Sequence, residues 1–337
     1  MLRNAFFLWL FLAGTTFSLS AHAADPIAEF PYRTGYEGWI TVRVMVNGKG
    51  PYDFVLDSGA TITATFQNLA DQHVFTPADR EPIRILGLAG SETLPAIYIG
   101  NLTIGGQRMD NHVGVVLPDW RETRQTPGGV LGLDFLTQYT VLFDADKQTI
   151  RLYDRRDRVS DLPRGWSKTR MRAHNFGEGT GTLYRITAGI HGRKIPCIID
   201  LGASGTLINK RAFRRLLGGV VIEGSRATGF STGSQLSDIF DSVQIAKRVR
   251  VGTIRIAKAR WSKRILTVFD APIFEELGLN KRAFCLIGAD LMIERSFIFD
   301  FAREQLYMGP KAKRRLTMHD KNTQPREEKD GFRHTQI

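Results

Sequence analysis

The chain has 337 residues, 42% of them apolar and 24% charged, with 33 glycines and a formal net charge of +12. That apolar fraction excludes a disordered chain and suits one large domain or two of about 150 residues, and the glycines, with few long helical patterns, lean towards turn-rich β structure. The basic residues are spread along the chain, with small clusters at 168–172 and 311–315, and do not interleave with aromatic rings; this reads as a solvated basic surface and against a nucleic-acid platform.

In chain order, the first segment is unlike the rest. Arg3 gives a short basic start, residues 5–20 are mostly apolar without a charge, and Ala21-His22-Ala23 supplies small residues at both key positions of an A-x-A cleavage site. This is the plan of a secretory signal peptide over residues 1–23. The apolar run is short for a membrane span, and no later segment is long and apolar enough to cross a bilayer. The mature chain is therefore expected to be exported, to the periplasm if the source is bacterial or otherwise secreted, without stable membrane insertion.

The chain then repeats itself. Residues 39–44 alternate like a half-buried strand, Asn47-Gly48-Lys49-Gly50 is a turn signal, and Phe54-Val55-Leu56 leads into Asp57-Ser58-Gly59-Ala60. The second half repeats this with a strand at 183–188, a turn at His191-Gly192-Arg193-Lys194, and Cys197-Ile198-Ile199 leading into Asp200-Leu201-Gly202-Ala203. The halves also end alike: Val130-Leu131-Gly132 with Asp134 is followed by a hairpin at 141–153, and Leu286-Ile287-Gly288 with Asp290 by one at 297–307. Two copies make a paired-lobe pattern, since a solenoid needs three or more repeats. The expected division is an N-terminal lobe over residues 25–155, a linker over 156–166 containing Pro163 and Gly165, a C-terminal lobe over 167–309, and a charged, disordered tail over 310–337.

These motifs resemble the aspartic peptidases of the pepsin and retropepsin type. Asp57-Ser58-Gly59 is similar to the family's Asp-Thr/Ser-Gly signature, and the two apolar-apolar-Gly elements resemble those that thread beside its catalytic loops. The alanine after each Asp-x-Gly is closer to the retropepsin branch, and the resemblance covers most of residues 36–309. It implies an all-β fold of two pseudo-symmetric β-barrel lobes in one chain, with a cleft between them. It implies Asp57 and Asp200 as the catalytic pair, supported by Ser58, Gly59 and Gly202. It also implies a substrate-binding flap at Gly87-Leu88-Ala89-Gly90, although the tyrosine of pepsin-type flaps is missing there. Asp-x-Gly is also good turn chemistry, but a carboxylate placed at the end of a buried strand is costly unless something uses it.

The implied activity is peptide-bond hydrolysis by a water activated between two aspartates, on a polypeptide bound in extended conformation. The protein is expected to be a monomer with internal two-fold pseudo-symmetry that uses no cofactor and no metal. One departure stands out: Leu201 occupies the second-lobe position where the family has a hydroxyl, so a catalytically degenerate peptide-binding protein of the same fold is the alternative. In the family's fold, the strands carrying Cys197 and Cys285 run side by side, so the two thiols either pair or remain buried and free. They have none of the ligand spacings of a zinc site, and the seven histidines show no metal spacing.

Two further motifs carry nothing. Gly229-Phe230-Ser231-Thr232-Gly233 fits G-x-S-x-G, but a nucleophile elbow needs a strand before it and a helix after it. Gly177-Glu178-Gly179-Thr180-Gly181 leads into a strand, so no phosphate site follows.

Overall fold

The computed structural model describes residues 25–35, 38–87, 90–119, 126–159, 162, 164–175, 181–217, 231–237 and 243–313. The expected signal peptide, residues 177–180 and 229–230 of the two set-aside motifs, and residues 314–337 of the expected tail lie outside them.

Each copy opens on a hairpin whose turn is written in the sequence. Strands Ile40–Val46 and Lys49–Leu56 join through Asn47 and Gly48, with φ of 49° and 76°; Thr182–Ile190 and Arg193–Ile199 join through His191 and Gly192, with φ of 47° and 80°. Two successive residues of positive φ give a turn whose twist matches that of the strands. The turns are two residues long, so Lys49, Gly50, Arg193 and Lys194, read from sequence as turn, already belong to strands.

The returning strand of each hairpin becomes apolar on both faces because it is covered on both. Phe54-Val55-Leu56 pairs in parallel with strand Gly129–Leu131, and Cys197-Ile198-Ile199 with strand Cys285–Ile287. Parallel pairs are found where both faces are buried, and all three residues at each strand end are buried. Among the described residues, the first-lobe sheet has nine strands and the second-lobe sheet eight.

A six-stranded sheet joins the lobes, three strands from each copy, in the order Ala28–Pro31, Thr149–Asp154, Tyr139–Asp144, Arg295–Asp300, Gln305–Lys311 and Ser167–Arg170. The local two-fold runs between its central antiparallel pair, where Val141 faces Phe299 and Phe143 faces Phe297. There Phe143 stacks on Phe297 with ring centroids 4.3 Å apart, and Phe299 meets both rings edge-on. Such contacts add to the area that aromatic side chains bury, and one apolar core runs through both lobes.

The last strand includes Pro310 and Lys311, which the sequence reading assigns to the tail. Main-chain pairing holds them: Lys311 lies opposite Arg295, and the Ala312 amide donates to the Glu294 carbonyl at 2.8 Å. The start of the expected linker is held too, since the Arg303 guanidinium donates to the carbonyls of Arg156 and Asp157, and to that of Arg155 just before them. No helix among the described residues is long and apolar enough to cross a membrane.

Cys197 and Cys285 are direct register partners and form a disulfide, with Cα atoms 4.5 Å apart. The equivalent pair in the first lobe is Phe54 and Gly129, where a methyl on Gly129 would lie 2.5 Å from the Phe54 ring. One lobe thus fills this position with an aromatic ring over a glycine and the other with a covalent bond. The bond spans 88 residues, so replacing both cysteines by alanine should lower the unfolding free energy by about 2–4 kcal/mol. Urea denaturation checks this, and an unchanged midpoint would show that strand pairing alone holds the lobe.

Candidate active site

Both aspartates leave their strands in the same way. The Asp57 amide donates to the Leu131 carbonyl at 3.0 Å, and the Asp200 amide to the Ile287 carbonyl at 2.9 Å. Each carboxylate then turns back onto its own loop. Asp57 Oδ1 accepts the amides of Gly59 at 2.7 Å and Ala60 at 3.1 Å, and Asp200 Oδ1 accepts the amide of Ala203 at 3.0 Å.

The two loops meet face to face. A methyl on Gly59 would lie 2.7 Å from Cγ of Asp200, and one on Gly202 only 2.4 Å from Cγ of Asp57. Each glycine is therefore the floor on which the opposite carboxylate rests, and no larger residue leaves room for it. Burial raises the Asp57 carboxyl above its ordinary range, against the opposing pull of amide donors and of Asp200. Asp200 is raised further, first by burial and then by the Asp57 charge beside it. Neighbouring carboxyls that cannot both ionise behave in this way.

Ser58 ties the loops across the two-fold. Its hydroxyl donates to the Ile199 carbonyl at 2.7 Å and accepts the Leu201 amide at 3.2 Å. Leu201 has no hydroxyl with which to return the bond, and its side chain is fully buried in the shared core. The inter-lobe tie is thus made from one side, while apolar packing holds the other.

A second tier holds each loop from below, and the sequence reading passed over it. In the first lobe, the Thr63 hydroxyl donates to Asp134 Oδ1 at 2.7 Å and accepts the Gly132 amide at 3.0 Å. In the second, the Thr206 hydroxyl donates to Asp290 Oδ1 at 2.7 Å and accepts the Gly288 amide at 3.1 Å. The signal was available: a threonine stands at the sixth position after each site aspartate, and an aspartate at the second position after each downstream glycine. The tiers differ in their surroundings. His112 Nε2 lies 3.4 Å from Asp134 Oδ2, whereas burial pushes the Asp290 carboxyl up to about 6.

The flap expected at Gly87-Leu88-Ala89-Gly90 is a hairpin. Strands Ile83–Leu86 and Ser91–Leu94 pair antiparallel, and the Gly87 amide donates to the Gly90 carbonyl at 2.7 Å; Leu88 and Ala89 lie outside the described residues. One face of the hairpin, through Ile83, Ile85 and Leu94, packs on a small cluster that also touches Ala60 of the Asp57 loop. From the other face, Arg84 Nη2 reaches Glu276 of the second lobe at 2.7 Å. Nothing in the sequence announced that contact, because 192 residues separate its partners. The set-aside Ser231 opens strand Ser231–Ser237 and does not sit at a strand-to-helix turn.

The sequence profile of the aspartyl protease family matches residues 42–135, from the first strand of the hairpin that leads to Asp57 to the short helix after Gly132. Among solved structures, the aspartic proteinase from Irpex lacteus aligns over 84% of this chain and 97% of its own, with a TM-score of 0.50 and 12% identity. The fold is that of the pepsin-like aspartic proteinases. A search of curated protein sequences finds no match. The family match falls in the lobe that carries Asp-Ser-Gly, and the structural alignment extends the fold through the lobe that carries Asp-Leu-Gly.

Ser58→Ala should destabilise the protein by about 1–3 kcal/mol, because it leaves the buried Leu201 amide and Ile199 carbonyl without partners. Thermal denaturation of the variant measures the loss. A wild-type midpoint would mean that packing around Leu201 alone keeps the loops together.

Proposed function

We propose that this protein is an exported aspartic endopeptidase whose catalytic pair is Asp57 and Asp200. The observation that carries the reading is the interlock of the two loops, in which each carboxylate rests on the opposite loop's glycine. Two carboxyls so placed share one proton across the local two-fold. The ionised member takes a proton from a water as that water attacks the peptide carbonyl, and the protonated member polarises the carbonyl oxygen and then protonates the leaving nitrogen. Burial raises both carboxyls, and the shared proton belongs to the pair as a unit.

The degenerate reading draws on Leu201. Against it stands Ser58, which makes both halves of its inter-lobe bond without help from a second hydroxyl. Export rests on the signal-peptide pattern of residues 1–23 and fits the disulfide, which persists in oxidising compartments. The substrate would be an extended polypeptide lying beneath the flap, and the active form a monomer, since both halves of the site come from one chain.

Asp57→Asn and Asp200→Asn should each abolish cleavage of a denatured protein while leaving circular dichroism unchanged, and a hydroxyl-bearing transition-state mimic should inhibit the wild type. Normal turnover by either variant would sink the dyad.

The same residues make a prediction about stability. Asp200 has a folded pKa raised above its unfolded one, so the stability linked to it is complete below about pH 4 and is lost as pH rises through the folded value. Asp200→Asn removes that titration. The variant should therefore melt above the wild type at neutral pH, and the gap should close as pH falls towards 4. Equal gaps at both pH values would contradict the shift.

A further inference from the structure

On the second lobe, the loop preceding strand Cys285–Ile287 folds over the hairpin that leads to Asp200, and a cavity of about 360 Å³ opens between them. Pro196, Leu277 and Phe284 give it an apolar floor. Among the described residues, its lining carries the cations Arg185, Lys281 and Arg282 and the imidazole of His174, with no carboxylate. A basic chain scatters cations over its surface, yet several here meet acids, as Arg43 meets Asp53, Arg151 meets Glu29 and Arg264 meets Glu294. Among the described residues, the side chains of Arg185, Lys281 and Arg282 form no ion pair.

The wall is built before any ligand arrives. Asn209 Nδ2 donates to the Arg282 carbonyl at 2.7 Å while its Oδ1 accepts the Phe284 amide at 3.1 Å, and Arg211 Nε donates to the Asn280 carbonyl at 3.0 Å. Leu277 lines the cavity, and the preceding residue, Glu276, is the one that receives Arg84 from the flap. Burial, together with the Arg185 charge, holds the His174 imidazole below its usual range, so an anion in the cavity would raise it.

We propose that this cavity is an accessory subsite of the cleft that takes an aspartate or glutamate side chain of an extended peptide, with an adjacent apolar side chain on the floor. The inference rests on the peptidase reading for its substrate and narrows that substrate to acidic polypeptides. Guanidinium groups pair with carboxylates through charge-assisted hydrogen bonds, and the apolar floor distinguishes a peptide from a small free anion, which would leave it uncovered.

The test uses Asp57→Asn, which removes cleavage under the peptidase reading and leaves binding to be measured. Fluorescence anisotropy compares a short labelled peptide carrying Glu beside Leu with its Glu→Gln twin. The Glu peptide should bind about tenfold more tightly, and the preference should fall to near parity when Lys281→Met and Arg282→Met, both at exposed positions, are added. Equal binding of the twins, or a preference untouched by those changes, would overturn the proposal. Inorganic phosphate that raises the His174 titration midpoint by NMR, where neither peptide does, would mark a free-anion site and overturn it as well. Discriminating binding by Asp57→Asn without cleavage by the intact protein would keep the subsite and remove the peptidase reading.

Discussion

Two short carboxylates share one site here because the loops that carry them approach within the width of a glycine. That approach is the constraint on which the rest of this structure depends. Gly59 and Gly202 supply the width, and no residue with a Cβ fits either position without pushing into the opposite carboxylate. Bringing two loops so close is a long-range problem, because 143 residues separate their aspartates. The chain solves it with the inter-lobe sheet, whose central strands pair Tyr139–Asp144 with Arg295–Asp300 and fix the axis around which the loops face each other. The aromatic stack of Phe143 on Phe297 lies beside that axis, one register pair from Leu142 and Ile298.

Burying carboxyls costs stability unless donors meet them. Loop amides meet both, and the pairs Thr63–Asp134 and Thr206–Asp290 fix the loops that present those amides. The two copies solve the same problem with different parts. Ser58 makes the cross-lobe hydrogen bonds, while Leu201 adds buried apolar surface opposite. A disulfide in one lobe stands where Phe54 covers Gly129 in the other. Such exchanges fit a duplication in which position is held and chemistry drifts, since what each site needs is a filled volume or a tie, and more than one residue pair provides it.

Most of the architecture was legible in the sequence because it is carried by local signals that occur twice. Asn47-Gly48 and His191-Gly192 each write a tight turn, Phe54-Val55-Leu56 and Cys197-Ile198-Ile199 each announce a strand buried on both faces, and Asp-x-Gly marks each loop. The family's neighbouring strands left the two cysteines to pair or to stay free, and they pair. What stayed hidden depends on contacts with no local signature. The supporting threonines look like any strand-end hydroxyl until the fold sets Asp134 and Asp290 beneath them. The end of the last strand was misplaced because Pro310 and the charges after it look like a tail, whereas pairing with Arg295 keeps Lys311 in the sheet.

The link between Arg84 and Glu276 shows how far such hidden contacts can bear on the cleft. Both side chains are partly exposed, and a pair of that kind is worth about 0.2–1 kcal/mol. That is too little to hold the lobes together, a task the inter-lobe sheet and shared core already perform. It is enough to bias the position of a two-stranded hairpin whose apolar contacts are one small cluster and Leu86 against the main core. A weak bond across the cleft is also one that a binding peptide can displace using its own contacts. The strong constraints thus lie under the carboxylates, where geometry must not change. The weak one lies above them, where a polypeptide would have to pass.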